Sequence, residues 1–598
     1  MEGVLSIRRV VALEQWFMAG MAEHTLWQGI RWRQLVMVVL LIGTTGGPNC
    51  PETVLAAAPS GASGAQTVAP QIAFIDERIE AGWKDTGVTP ADQATDAEWC
   101  RRVYLDCIGR IPTVDELEQH RRDRSRTRMI NLIDRLLGQE YVDEFARHWA
   151  NVWTTVLIGR DTNNQLVSRS GMRKYLTAAF RENIPYDRFV QELLTATGEN
   201  ADREGAENFN GATNFLSGKL ADGGIQATAK TAQIFLGIQV QCAQCHHNPL
   251  RTSPGAKQNE FWELNSFFRQ ARGLRRFDGG RRVAWIELID EDFAGEGGNP
   301  AEAEIYYELK NGLVKVAYPV FIDGTEIGRN GLLPGGKLGA RAGGVNRRQE
   351  LARLIQGSPL MPKAIVNRLW SHFLGYGLVN PIDDLADNNL PTDPVLLEGL
   401  ADRFVEQSYD LKQLIRWLVL SKPYALSSRI SSGNAADDPA GGLPPRFARF
   451  YPRQMQAEQL YESLLTATQA DRAEGAEAAR RRDVWLSQFV IAFGTDEGDD
   501  TTTFNGTIPQ VLMLFNGDLV KTATGLDRES FLNQVATASR KNADKINTLY
   551  LAALARRPSP AEVRLANNLL MARRGRAVEA LQDIWWALLN SNEFILNH

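Results

Sequence analysis

The sequence predicts a mainly α fold: two helical regions with a small inserted β module. Three observations carry that reading. Apolar residues recur at helical spacing from about residue 73 to 270 and again from Gly343 to the end. Helix-start signals punctuate both regions, at Thr113…Glu116, Asp393-Pro394 and Ser559…Glu562. Only between about 270 and 335 does the period shorten to strand-like alternation, broken by Gly, Asn and Asp-Gly turns. The boundaries that follow are an export signal and the start of a linker at 1–58, linker at 59–72, a helical domain at 73–270, the β insertion at 271–335 and a helical C-terminal domain at 336–598.

In chain order, Arg31 and Arg33 precede the apolar run Leu35–Ile42, and small residues around Ala56–Ala58 suit signal cleavage. That run is far shorter than the roughly 20 residues a bilayer span needs, so cleavage is expected over anchoring, with no transmembrane span left afterwards. Met21 gives a start of more usual signal length, and Gly43–Pro70 reads as linker. Asp96–Ile108 is a helix carrying Trp99, Val103 and Ile108. It sets Cys100 and Cys107 roughly 10 Å apart along its axis, too far for a disulfide, so both read as core residues. Pro112–Glu116 restarts a helix with a capping box; Met129–Leu137 and the aromatic Tyr141–Leu157 are further amphipathic stretches. Asn183–Asp187 is a turn before Arg188–Leu194, Ala227–Val240 looks helical, and Phe261–Phe268 follows. Arg282–Leu288, Glu304–Leu309, Leu313–Val320 and Phe321–Ile327 read as strands. The basic entry to them, Arg272, Arg275, Arg276, Arg281 and Arg282, reads as a solvated loop. Asp393-Pro394 supplies an N-cap and a first-turn proline to Val395–Phe404, and Gly433–Pro445 reads as a linker or exposed loop.

The 598 residues are 44% hydrophobic and 23% charged, with a formal net charge of −5. That length suits about two to four domains. The charge gives no electrostatic case for nucleic-acid binding.

The chemistry-bearing stretch is Gln239–Pro249, which holds Cys242-Ala243-Gln244-Cys245-His246. Cys-x-x-Cys-His is the spacing of c-type haem attachment. Two thiols add across the vinyl groups of one haem edge, and the adjacent imidazole reaches the iron as proximal ligand, so His246 is the expected metal ligand. With 5 Cys and 7 His in the chain, chance yields only about 0.0005 matches. Half a zinc site, a redox dithiol and a structural disulfide clip compete with this reading. Export fits haem, which is attached outside the cytoplasm.

Several phrases together resemble one family. They are Tyr104-Leu105-Asp106-Cys107-Ile108-Gly109-Arg110-Ile111-Pro112-Thr113, Asn183-Ile184-Pro185-Tyr186-Asp187-Arg188-Phe189, and Phe235-Leu236-Gly237 running into Cys242…His246. Val366–Trp370, Gly375–Asp384 and the closing Leu589–Phe594 continue the likeness. The chain resembles the planctomycete cytochrome-like proteins that join domain of unknown function 1549 to domain of unknown function 1553, over roughly residues 75–598. The resemblance implies an exported protein with a cytochrome-like motif and names no general activity. The family motif continues His-x-His-Pro-Phe, whereas this chain reads His246-His247-Asn248-Pro249-Leu250, so Asn248 replaces the second histidine.

A six-coordinate haem needs a distal ligand. His148, His372, Met172 and Met513 are candidates, each more simply read as core. Asp383, Asp384 and Asp387, and separately Asp496, Glu497, Asp499 and Asp500, could hold Ca²⁺ but read first as solvated acidic turns; Zn²⁺ at the Cys-x-x-Cys-His also stays open. No nucleophile elbow, phosphate loop or His-Glu-x-x-His is present, so no signature names a reaction. The leading expectation is an exported monohaem c-type protein of the periplasm or cell envelope, in electron transfer or haem-linked redox chemistry with a redox or envelope partner. The alternative is a non-redox envelope scaffold or polysaccharide-processing partner in which the motif is a clip.

Overall fold

The computed structural model describes residues 69–598, apart from 161–163, 250, 252–253, 292–303, 328–331, 334–336, 339–344, 471–475, 495–509, 511–512, 516 and 528–529. The expected export signal, Cys50 and the acidic group at 496–500 lie outside the described residues. The chain divides into two compact units. The larger holds residues 66–466, 480–504 and 596–598, and the smaller holds 467–479 and 505–595.

The larger unit is helical where periodicity predicts it. Its first helices are α1 (Pro70–Thr86), α2 (Asp96–Ile108), α3 (Val114–Arg122), α4 (Arg128–Leu136), α5 (Val142–Ile158), α6 (Arg169–Glu182) and α7 (Tyr186–Thr195). The capping box at the start of α3 forms as expected, Thr113 accepting from Glu116 N and Glu116 from Thr113 N. Glu116 also takes a two-pronged contact from Arg110 at 2.8 Å on each prong, and Glu144 of α5 takes Arg110 Nε at 2.9 Å. Phe145, Trp149 and Trp153 recur every fourth residue and so share one face of α5. There Trp153 meets Phe189 of α7 edge to face at 5.1 Å, and Trp149 lies 6.3 Å from Phe180 of α6. Cys100 and Cys107 are both free and fully buried in α2, as core residues should be.

Helix α2 stops on Gly109, whose φ of +77° lies in the left-handed region. A Cβ there would sit 2.4 Å from His148 Nδ1. Gly109→Ala therefore combines backbone strain with a clash against a buried ring. It is expected to cost about 2 kcal/mol, read from urea unfolding; an unchanged midpoint would show that His148 gives way freely.

After α7 come β1 (Gly198–Glu199), the short α8 (Asn214–Ser217), α9 (Ile225–Thr231), a π turn at Ala232–Leu236 and α10 (Gln258–Asn265). Strands β2 (Ala271–Phe277) and β3 (Val283–Asp290) pair antiparallel, and β1 adds to the other edge of β3 with Gly198 opposite Leu288. β4 (Ile305–Glu308) and β5 (Val314–Ala317) form a separate hairpin, followed by a minimal pair, β6 (Leu332–Leu333) with β7 (Lys337–Leu338). The basic entry is thus corrected from loop to strand at Arg272, Arg275 and Arg276, whereas Arg281 and Arg282 lie exposed in the turn between β2 and β3, as expected. In β2, Arg272 pairs with Glu291 at 2.8 Å and Arg276 with Glu287 across the ladder.

The second helical stretch is α11 (Arg347–Gln356), α12 (Leu360–Leu374), α13 (Pro394–Glu406), α14 (Leu411–Val419), β8 (Arg453–Gln454), α15 (Ala457–Thr468) and α16 (Ala476–Phe493). Asp393 caps α13 through Leu396 N and also holds Arg78 of α1 through both oxygens. Arg348, fully buried, clamps Asp290 of β3 and donates to the Leu194 and Ala196 carbonyls, joining the sheet to α7. The segment expected as a linker or exposed loop at 433–445 is a mostly exposed loop, but an anchored one. Asp437, 1% exposed, accepts from Arg446 N, Ala448 N and Tyr451 Oη. The last residues return to this unit as β9 (Leu596–Asn597), paired with β8.

The smaller unit contains α17 (Asp518–Ala523), α18 (Phe531–Thr537), α19 (Asn542–Leu554), α20 (Pro560–Ala572), α21 (Ala577–Leu589) and α22 (Asn592–Ile595). The predicted capping box opens α20. Its Glu562 also joins Glu593 in holding Arg556, which ties the closing phrase of the chain to α20. Trp585 is fully buried and donates to Ala523 O.

Candidate functional site

The helical approach to Cys242 ends on Gly237. Its φ is +66°, and a Cβ would come within 2.7 Å of Leu385 and 3.1 Å of Ala364. The carbonyl of Gly237 accepts from Leu385 N at 2.8 Å. The chain then makes a single 3₁₀ turn, Gln241–Gln244, that presents Cys242 and Cys245 as exposed free thiols, with only Ala243 turned into the core. Gln244 O accepts from Trp262 Nε1 at 3.1 Å and from Gln258 Nε2 at 3.3 Å, which fixes the turn to α10. His247 Nδ1 caps Gln258 N at 2.9 Å, so this second imidazole is spent on holding α10 and does not stand in for the histidine replaced by Asn248.

His246 is exposed, and its Nδ1 lies 2.7 Å from the His247 carbonyl. A carbonyl only accepts, so Nδ1 carries the proton and Nε2 is the basic nitrogen. A carbonyl that accepts from the far ring nitrogen and so fixes the tautomer is how ligating histidines are held. Two accessible thiols three residues apart and an imidazole with a basic Nε2 fit the covalent and axial needs of a c-type haem.

The proposed distal ligands lie elsewhere. His148 and His372 pack against each other, 6.5 Å between centroids, and both against Trp149. Burial lowers the pKa of His148 to about 4 and that of His372 well below its ordinary value, so both rings are neutral. Met172 is fully buried, and Met513 belongs to the smaller unit. Of the acidic group near 383, Asp387 is exposed, but Asp383 and Asp384 are not solvated. Asp383 and Asp384 are 8% and 9% exposed; Asp383 accepts from Gln233 and Gln239, and Asp384 pairs with Arg251 at 2.7 Å. These contacts bind the Gly375–Asp384 phrase to the segment leading into the thiols. Among the described residues no three His, Cys, Asp or Glu side chains come together as a metal cluster.

A feature that local spacing does not reveal lies in the larger unit: a cavity of about 550 Å³ between α5, α12, the 375–383 loop and the β8 strand. At its base Asp106, 2% exposed, accepts from Arg453 at 2.9 and 3.0 Å, Tyr424 Oη at 2.8 Å and Asn597 Nδ2 at 2.8 Å. Asn367 holds the loop beside it, donating to Val379 O and accepting from Val379 N. None of Cys242, Cys245 and His246 lines this cavity. The one sequence signal for it was an Asp placed between Leu105 and Cys107 on an apolar helix.

Comparison with known proteins adds the family. Residues 74–273 match PSCyt2, a protein of unknown function (DUF1549), and residues 347–483 match PSD1, a protein of unknown function (DUF1553). No curated protein and no solved structure matches the chain. The thiol turn lies in the first matched segment, and the cavity is lined from both.

Proposed function

Because the chain belongs to the proteins that join a PSCyt2 (DUF1549) segment to a PSD1 (DUF1553) segment, and because its Cys-x-x-Cys-His is intact, we propose that it is an exported monohaem c-type protein of the periplasm or cell envelope. The observation that carries the reading is the His246 tautomer, fixed by the His247 carbonyl, beside two exposed free thiols. Cys242 and Cys245 would hold the cofactor through their thiols, and His246 would offer its basic Nε2 to the metal. When bound, haem supplies one-electron redox chemistry. Trp262 and Gln258 keep the turn in place through Gln244 O, so the spacing of the thiols is set by α10 before attachment. Residues 35–42 supply the apolar run for export, and a redox or envelope protein is the expected partner. No helix among the described residues is long and apolar enough to cross a membrane.

The test is an absorption spectrum and haem stain of protein exported from a host with haem-c maturation machinery. A covalent Soret and α-band chromophore is expected, and it should be lost completely in Cys242→Ser/Cys245→Ser. A colourless, folded product from that host would sink the haem reading. Thiol counting and zinc analysis of that colourless sample would then decide between a disulfide and a metal clip in a non-redox envelope protein.

A further inference from the structure

The cavity beside Asp106 has an unusual inventory of polar atoms. Trp149 Nε1, Arg453 Nε, Gln454 Nε2 and Asn597 Oδ1 are shut off from solvent with no hydrogen-bond partner in the protein, and so is His372 Nε2. Trp149, Arg453 and Asn597 are 2%, 8% and 4% exposed, so their own surfaces are more than nine-tenths buried. Buried polar atoms are almost always satisfied, and an orphan costs about 1–3 kcal/mol. Several orphans converging on one cavity mark a place where something polar binds.

The chemistry of the lining selects the class. Its charged residues are Asp106, Asp383, Arg368 and Arg453, two of each sign. Asp106 is already met by Arg453, Asp383 by two glutamine amides, and Arg368 donates to the Ile234 carbonyl at 2.7 Å. The lining as a whole carries no net charge, so an incoming ion would add a desolvation cost with no net charge to offset it. The orphans include donors on Trp149, Arg453 and Gln454 and an acceptor on Asn597. A carboxylate satisfies only the donors and an ammonium only the acceptor, whereas a hydroxyl does both. Trp149, Trp153 and Tyr376 supply apolar wall for C–H faces between hydroxyls. The cavity volume falls in the range of about 300–1,000 Å³ typical of small-molecule sites, and exposed Asn380 and Pro381 put part of its lining at the surface.

We propose that this cavity binds a neutral polyhydroxylated ligand, a short saccharide. The site is built from both matched family segments and does not depend on the thiol turn.

The test is isothermal calorimetry and saturation-transfer NMR on the full chain with cellobiose, maltose, xylobiose and a fucosyl-galactose disaccharide, with digalacturonate and putrescine as charged controls. At least one neutral disaccharide is expected to bind at millimolar or lower concentration. Trp149→Phe keeps an aromatic face but loses the N–H together with the five-membered ring, and it should weaken that binding about tenfold. Gln454→Leu should act in the same direction, which covers the case in which Trp149→Phe fails to fold. Cys242→Ser/Cys245→Ser should leave the affinity unchanged, so failure here and failure of the haem reading are told apart. Absence of binding by every neutral sugar, binding indifferent to both cavity variants, or preference for a charged control would each overturn the proposal.

Discussion

Arg453→Met is expected to be the most damaging single side-chain change in the larger unit, lowering its unfolding free energy by about 3–5 kcal/mol. Arg453 gives Asp106 both contacts from one nitrogen, and the pair is 8% and 2% exposed. Burial drives the Asp106 carboxyl upward in pKa, and Arg453 is the strongest influence holding it down. Without the guanidinium the carboxylate must either stay charged in a dry site or take up a proton, and both cost stability. Tyr424 and Asn597 soften the loss but carry no charge. The double variant Asp106→Asn/Arg453→Met should recover part of the deficit, because it removes the stranded charge as well as its partner. Lys174→Met serves as contrast. Its ion pair with Asp202 is short, at 2.6 Å, but the side chains are 59% and 47% exposed, so its loss should change stability by no more than about 1 kcal/mol. Urea unfolding followed by tryptophan fluorescence decides the matter; equal costs for Arg453→Met and Lys174→Met would refute the role given to the buried pair.

That pair also shows where sequence reading stops. Local chemistry was legible: both capping boxes, the Asp393-Pro394 helix start and the aromatic stripe of α5 all involve residues within a few positions of each other. The mainly α fold with small sheets follows from the same short-range periods. Strand β2 was missed because three arginines, at 272, 275 and 276, obscure its alternation; Arg276 pairs with Glu287 on the next strand and Arg272 with Glu291 just past its end. Asp383 and Asp384 looked solvated because the groups that cover them, Gln233, Gln239 and Arg251, lie more than 130 positions away in the chain. The 433–445 loop looked like a linker because Gly, Pro and Asp favour turns whether or not the turn is buried; its anchor, Asp437, shows only in three dimensions. The thiol motif was plain in the sequence, whereas the cavity was not. Asp106, Trp149, His372, Arg453 and Asn597 come from five separate stretches of chain, and no spacing rule connects them.

His148, which is buried, and its half-buried neighbour His372 lead to a second large effect, this time in acid. His148 is held neutral down to about pH 4, and the pKa of His372 also lies well below its ordinary value, in both cases chiefly by burial. Arg147 and, for His372, Arg453 and His148 itself push in the same direction; Glu458 and the Asp106 backbone oppose it for His148. An unfolded histidine takes up a proton near pH 6.5. Below that value the unfolded chain therefore binds protons that the native state refuses. The stabilisation is fully present above about pH 6.5 and is lost as pH falls toward each folded pKa. For His148 the window runs from about 6.5 to about 4, worth about 3 kcal/mol. Carboxylates with lowered pKa values, Glu116 and Glu458, also lose stability in acid, but only below their unfolded value of about 4.5. Between pH 6 and 4.5 the histidines therefore lower stability as pH falls. The carboxyls that burial raises, Asp76, Asp106 and Glu263, oppose them, because their native forms take up protons more readily than the unfolded chain. His372→Leu deletes one proton site and keeps an apolar neighbour for Trp149. It should flatten the curve of stability against pH in that interval by about 1.4 kcal/mol per pH unit, whatever its cost at neutral pH. Parallel curves for the two proteins would mean that the native His372 ring takes its proton as readily as the unfolded one, and that the aromatic pocket is open to water.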